Sequence, residues 1–175
     1  MMTNNNQTEL NIEELYTRTT TAEQIKESFD RMTMPTGRYI YAATKVEALR
    51  GNDEHPFPAL RSREFAHIFG KVTTVEGKKR GSVGFDASWD LRRTETGKLD
   101  KVAKLWGQIV VALDMKEKPI PEVLDALRQY PLSVYINESF KTPEGYRTAR
   151  DEQARAEYRK AGYESRNFIE SVSKL

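Results

Sequence analysis

The chain has 175 residues, with 28 Lys or Arg against 26 Asp or Glu, 38% hydrophobic residues and no cysteine. That length supports one domain with a real core plus peripheral segments, while no apolar run reaches membrane-span length and no secretory leader is readable at the start. Without cysteine there is no disulfide framework, thiolate metal site or Cys nucleophile, which fits a cytoplasmic protein, and a net charge of +2 says less than where the charges sit.

Residues 8–17 predict a short helix with Leu10, Ile12, Leu15 and Tyr16 as its apolar positions. Thr21-Ala-Glu-Gln24 fits a capping box, in which hydroxyl and amide satisfy free backbone N–H groups. Behind it Ala22, Ile25, Phe29 and Met32 recur at helical spacing, and Pro35 and Gly37 end the helix. Tyr39 to Leu49 predicts the first strand, with Ile40, Ala42, Thr44 and Val46 inward and Tyr41, Ala43, Lys45 and Glu47 outward. Residues 50–63 carry turn chemistry throughout, end basic, and are long enough for a functional loop.

Glu64 to Leu91 is the centre of the chain. Two runs of β-type residues flank a basic connection bounded by Gly77 and Gly81, which is a hairpin signal. In the second run Val83, Phe85, Ala87, Trp89 and Leu91 alternate with polar or small residues, so that strand is half buried. In the first run Ala66, Ile68, Gly70 and Val72 suit a core, while Phe65, His67, Phe69, Lys71 and Thr73 form an aromatic and basic opposite face.

Leu99, Val102, Trp106, Ile109 and Leu113 mark the strongest helix, and Pro121 opens a short second one through Arg128. Leu132, Val134 and Ile136 predict a fourth strand, and Tyr146 to Ala149 a fifth after the turn at 141–145. Asp151 to Lys160 reads as a charged helix, followed by a tail carrying Phe168, Ile169, Val172 and Leu175 with little to bury them.

This order predicts an α+β, mainly β chain: an OB-fold-like five-stranded barrel with a helix between strands 3 and 4. Residues 1–34 form an N-terminal helical extension, 35–150 the OB-fold-like domain, and 151–175 a C-terminal helix and tail. Pro35-Thr-Gly37-Arg-Tyr39, the Phe69-Gly-Lys-Val hairpin with Gly77 and Gly81, and Leu127 to Ile136 with Gly145-Tyr146-Arg147 together resemble a family of phage-encoded proteins. Members of that family are similar to single-stranded DNA-binding proteins. The resemblance covers about residues 35–150 and implies an OB-fold protein of the host cytoplasm that coats single strands in DNA replication or recombination.

Single strands are held by a cationic groove for phosphates and aromatic faces for bases. The stacking candidates are Tyr41, Phe65 and Phe69, with His67 on the same face; Tyr39 could join them, and Trp89 only if the strand register slips by one. The phosphate candidates are Lys45, Arg61, Arg63, Lys71, Lys78, Lys79, Arg80, Arg92 and Arg93. Each has a plainer rival: basic hairpin tips are usually solvated turns, and Phe65 or Phe69 could lie under the N-terminal helix. Catalysis finds no support. His55 and His67 lack ligand spacing, Glu76-Gly-Lys78 lies in a turn, Asp86 and Asp90 read as solvent-facing alternation, and no phosphate loop or activated Ser or Thr is present. No enzyme activity, metal or cofactor is expected. The competing reading is an OB-like protein-interaction or structural module, in which Phe168, Ile169, Val172 and Leu175 seek a protein partner or another copy. A third is RNA binding, because stacking ignores the sugar.

Overall fold

The computed structural model describes residues 9–24 and 33–175. Helix α1, Ile12–Leu15, starts where the Asn11 side chain accepts the Glu13 N–H, and its apolar residues face solvent. The capping box at Thr21 is formed: the Gln24 N–H donates to Thr21 Oγ1 at 3.1 Å, and the Thr21 N–H donates to Gln24 Oε1 at 2.9 Å. Ile25, Phe29 and Met32, expected along the face of that helix, lie outside the described residues.

Six strands follow: β1 (Gly37–Gly51), β2 (Arg63–Thr73), β3 (Lys79–Ala87), β4 (Leu132–Thr142), β5 (Gly145–Thr148) and β6 (Ser165–Ser173). They make one antiparallel sheet in which β3, β2, β1 and β4 are successive neighbours. The far edge of β4 pairs with β6, and β5 takes the near edge where β1 ends. The protein is therefore a mixed α/β molecule built on a six-stranded open sheet. The predicted OB-fold-like five-stranded barrel is not confirmed: the sheet is not closed, with β3 paired only to β2 and β6 only to β4. Among the described residues no helix is long and apolar enough to cross a membrane.

Alternation decides which side chains enter the core, and one irregularity resets it in β1. Tyr39 and Tyr41 point inward, the pairing with β2 shifts between Ala43 and Lys45, and Val46 then points inward as well. The extra residue of a bulge moves a strand's side chains by one position. The predicted inward set of Ile40, Ala42 and Thr44 is thus wrong, although Val46 is buried as expected. Tyr41 packs edge-on against Phe85, with centroids 5.6 Å apart, and its hydroxyl donates to the Val83 carbonyl at 2.8 Å. Gly70 is what admits that ring: a Cβ there would lie 2.5 Å from Tyr41 Cζ and 2.6 Å from the Ala42 carbonyl oxygen.

Helices α2 (Lys101–Ala112) and α3 (Ile120–Gln129) occupy the interval between β3 and β4. Helix α2 packs on both β3 and β6. The Val102 carbonyl accepts the Ser88 N–H at 3.0 Å, and Gln108 Oε1 accepts the Val172 N–H at 2.8 Å. The helix thus spans the two margins that the strands leave unjoined. Leu105, Trp106 and Ile109 of α2, with Val123 and Leu127 of α3, complete a core with Val46, Ile68, Val72, Val134, Ile136, Ile169 and Val172. Helix α3 also holds β1 directly, through Arg128 Nη2 donating to the Val46 carbonyl at 2.9 Å.

The C-terminal segment differs from its expectation. Residues 165–173 are a strand paired with β4 along most of its length, not a tail, and Ile169 and Val172 are buried in the chain's own core. Of the four apolar residues assigned to partner binding, Leu175 is the one exposed, and Phe168 is half-buried. Helix α4 (Glu152–Lys160), capped by the Asp151 side chain, joins β5 to β6. It is tied down by Arg159 Nη2, which donates to both oxygens of buried Glu138 at 2.7 and 3.0 Å, and by Tyr158 against Phe140.

Candidate nucleic-acid interface

The outer face of β1, β2 and β3 carries the predicted aromatic and basic residues in cross-strand rows. Lys45, Phe69 and Gly84 make one row, Ala42, Lys71 and Ser82 the next, and Glu47, His67 and Asp86 a third. Directly opposed neighbours hold their Cβ atoms about 5 Å apart, so Lys45 is the cross-strand neighbour of Phe69. Phe69 is 42% exposed. Its ring lies over Gly84, whose missing side chain leaves room: a Cβ there would meet Phe69 Cδ2 at 3.3 Å. One ring face is seated on the backbone and the rest meets solvent.

Further along the same face, the third row is acidic. His67 Nδ1 lies 2.8 Å from Asp86 Oδ1, and Lys45 Nζ lies 3.2 Å from Glu47 Oε1. Positive charge is therefore concentrated on the Lys71 side of Phe69, toward the hairpin tip. At that tip the Thr74 N–H donates to the Lys78 carbonyl at 2.8 Å, and Gly77 takes a φ of 90°, which a side chain would strain. Lys78, Lys79 and Arg80 are exposed. Arg80 is skipped in the pairing between β2 and β3, and its charge reaches Tyr39. Burial raises the Tyr39 pKa; Arg80 works against that rise and Glu138 adds to it.

Three predicted contacts are corrected. Tyr41 is fully buried on the opposite face, because the β1 bulge reverses the phase read from Val46. Phe65 lies on the predicted face but is 3% exposed, since the 51–62 loop folds over it with the His55 ring 6.1 Å away. Arg63 is 1% exposed and fully committed. Its guanidinium donates to both Asp100 carboxylate oxygens, to Ser88 Oγ, and to the Ala59 and Asp90 carbonyls. It therefore binds the loop, the end of β3 and the N-terminus of α2 together rather than a phosphate.

The remaining arginines are partly engaged. Arg61 Nε donates to the His55 carbonyl at 2.8 Å, Arg92 donates to the Arg61 and Ser62 carbonyls, and Arg93 donates to the Gly97 carbonyl at 2.9 Å. They brace loops while keeping their charge at the surface. Trp89 packs against Trp106 at 5.2 Å and joins the core margin instead of the outer face.

Two further ring residues were not among the predicted contacts of this face. His55 and Phe57 stack obliquely at 5.8 Å, and Phe57 is 61% exposed. With Phe65, His67 and Phe69 they line up aromatic rings from the loop along β2. The signal was present as aromatic residues in a long loop, but nothing local shows that the loop folds back onto the β2 face. Among the described residues no group of His, Asp and Glu is placed to hold a metal ion. No family model matches the sequence, and no curated protein or solved structure is significantly similar to it.

Proposed function

We propose that the protein binds single-stranded DNA across the outer face of β1, β2 and β3, in an OB-like arrangement. One observation carries this reading: an exposed Phe69, seated on Gly84, with Lys45 beside it and Lys71 two residues along the same strand face. Phe69 supplies a stacking surface and the lysines neutralise phosphates. Exposed Phe57, with half-buried His55 against it, extends the stacking track at one end, and Lys78 and Lys79 extend the cationic one at the other. The OB-like arrangement draws on the strand order, on β3 and β6 running in the same direction, and on α2 bridging them in place of a ladder. In this reading the chain coats exposed strands during phage replication or recombination, the role that the resemblance of residues 35–150 implies.

The test is fluorescence anisotropy of a labelled oligo-dT of about 30 nucleotides, at low and moderate salt. A stacked base is worth about 1–3 kcal/mol, so Phe69→Ala is expected to weaken binding roughly 5- to 150-fold. Replacing Lys78, Lys79 and Arg80 together by Ala is expected to lower the log–log salt slope by about 2, one phosphate per cation at ~0.7 each. No wild-type binding at low salt overturns the reading and leaves the face to a protein partner. Competition by an RNA oligomer of equal length decides the preferred sugar.

A further inference from the structure

Away from the β1–β3 outer face, the loop after β3 and the first turns of α2 meet the outer side of β6 in a concave site of about 530 Å³. Lys98, Lys101 and Lys104 line it, together with Thr94, Thr96 and Phe168. The three lysines belong to one stretch, 98–104, that leads into α2, and Phe168 of β6 lines the same cleft. Lys101 Nζ lies 4.1 Å over the Phe168 ring, which replaces part of its water by an aromatic face. That burial lowers the Lys101 pKa, with Glu170 opposing the drop and Arg166 adding to it.

The carboxylates at this cleft do not match its cations. Two acids line it, Asp100 and Glu170. Asp100 spends both oxygens on Arg63 and one of them also on the Ala103 N–H. Its charge is therefore answered from behind, and Glu170 alone faces three lysines. The three lysines are exposed and gathered at one cleft, where their like charges repel one another. An anion entering there gains from all three at once. The Thr94 hydroxyl is already engaged, donating to the Lys98 carbonyl at 3.2 Å and lying 3.0 Å from Thr96 Oγ1, so attraction for an anion rests on the lysines.

We propose that this cleft is a phosphate-binding site, taking the phosphates of a nucleic-acid backbone or of a nucleotide. It stands independently of the strand-binding face, since none of its lining residues belongs to the Phe69 rows. A volume of about 530 Å³ lies within the range of small-ligand sites, ~300–1,000 Å³.

The test uses the full chain and inorganic tripolyphosphate as probe, followed by amide chemical shifts, with Lys101→Met plus Lys104→Met as the variant. Shifts centred on Lys98, Lys101 and Lys104, with at least a tenfold weaker affinity in the variant and no change in Phe69→Ala, are the expected result. Lys104→Glu, an exposed change on the helix surface, serves if the double variant does not fold as the wild type. Oligo-dT separates the two sources. A backbone source lowers the salt slope of oligo-dT binding by about 1.4 in the double variant. A nucleotide source leaves that slope unchanged while ATP binds the wild type and not the variant. Should oligo-dT fail to bind the wild type at all, the tripolyphosphate and ATP arms still decide the cleft. Saturating tripolyphosphate without shifts in these residues, or equal affinity in wild type and variant, overturns the proposal.

Discussion

Arg63 closes a basic loop in the sequence, and in the structure it closes the loop physically. Its guanidinium donates five hydrogen bonds, two of them to Asp100, which also caps α2. Removing one member of a buried charge pair leaves the other without compensation, at a cost of roughly 3–5 kcal/mol. Arg63→Met is thus expected to lower stability by about 3 kcal/mol, the lower end because Asp100 keeps some contact with water. Denaturant unfolding with an unchanged slope checks it. The pH dependence should point to the same contact. Burial pushes the Asp100 pKa up, but the bonds from Arg63 and Ala103 and the charges of Arg63 and Arg92 outweigh it and hold it below the ordinary value. A carboxylate with a depressed folded pKa stabilises fully above its unfolded pKa and loses that contribution as pH falls through the folded one. Wild type is therefore expected to weaken as pH drops below about 4, and Asp100→Asn to lose part of that acid sensitivity. A wild type and Asp100→Asn with identical stability profiles between pH 5 and 2 would contradict this role.

Elements were legible where alternation ran unbroken. The β2 and β3 hairpin keeps strict period two over its inward residues, and Ala66, Ile68, Val72, Val83, Phe85 and Ala87 are buried as predicted. In β1 the bulge between Ala43 and Lys45 breaks the period, so the phase taken from Val46 misplaced Tyr41. In β6 the pairing with β4 shifts between Tyr135 and Ile136. Ile169 and Val172, three apart, both reach the core, which is a spacing that imitates a helix or a tail. Bulges leave no composition signal, and that is why one face and one whole strand escaped. The glycines of the hairpin give an element-scale test. Gly70→Ala forces a Cβ against the Ala42 carbonyl and the Tyr41 ring, so overpacking should cost about 2 kcal/mol. Gly84→Ala meets the movable Phe69 ring at 3.3 Å, with the Ile68 carbonyl oxygen and the His67 ring at ordinary contact distances of 3.6 and 3.8 Å, and should change stability by less than ~0.5 kcal/mol. Equal losses at both positions would show that backbone proximity is not what selects glycine in β2.

At the scale of the whole molecule, the open sheet depends on its last strand. Strand β6 runs beside β4 from Ser165 to Ser173, buries Ile169 and Val172 against α2, and gives Gln108 its backbone partner. Burying two such aliphatic side chains is worth about 3–6 kcal/mol. Losing β6 would also expose Val134 and Ile136, which are fully buried where β4 pairs with it. These terms together rival the 5–15 kcal/mol by which a whole domain is stable. Helix α4 is then more than an appendage, since it is the connection that returns the chain to the far edge of β4. A chain ending at residue 164 is expected to lack a cooperative thermal transition by near-UV circular dichroism, whereas Leu175→Ser should melt as the wild type does. If the truncated chain kept a sharp transition, 35–150 would be a self-sufficient unit and β6 an addition to it. If it lost one, the folding unit extends through Ser173, and any strand-binding variant must be made in the full chain.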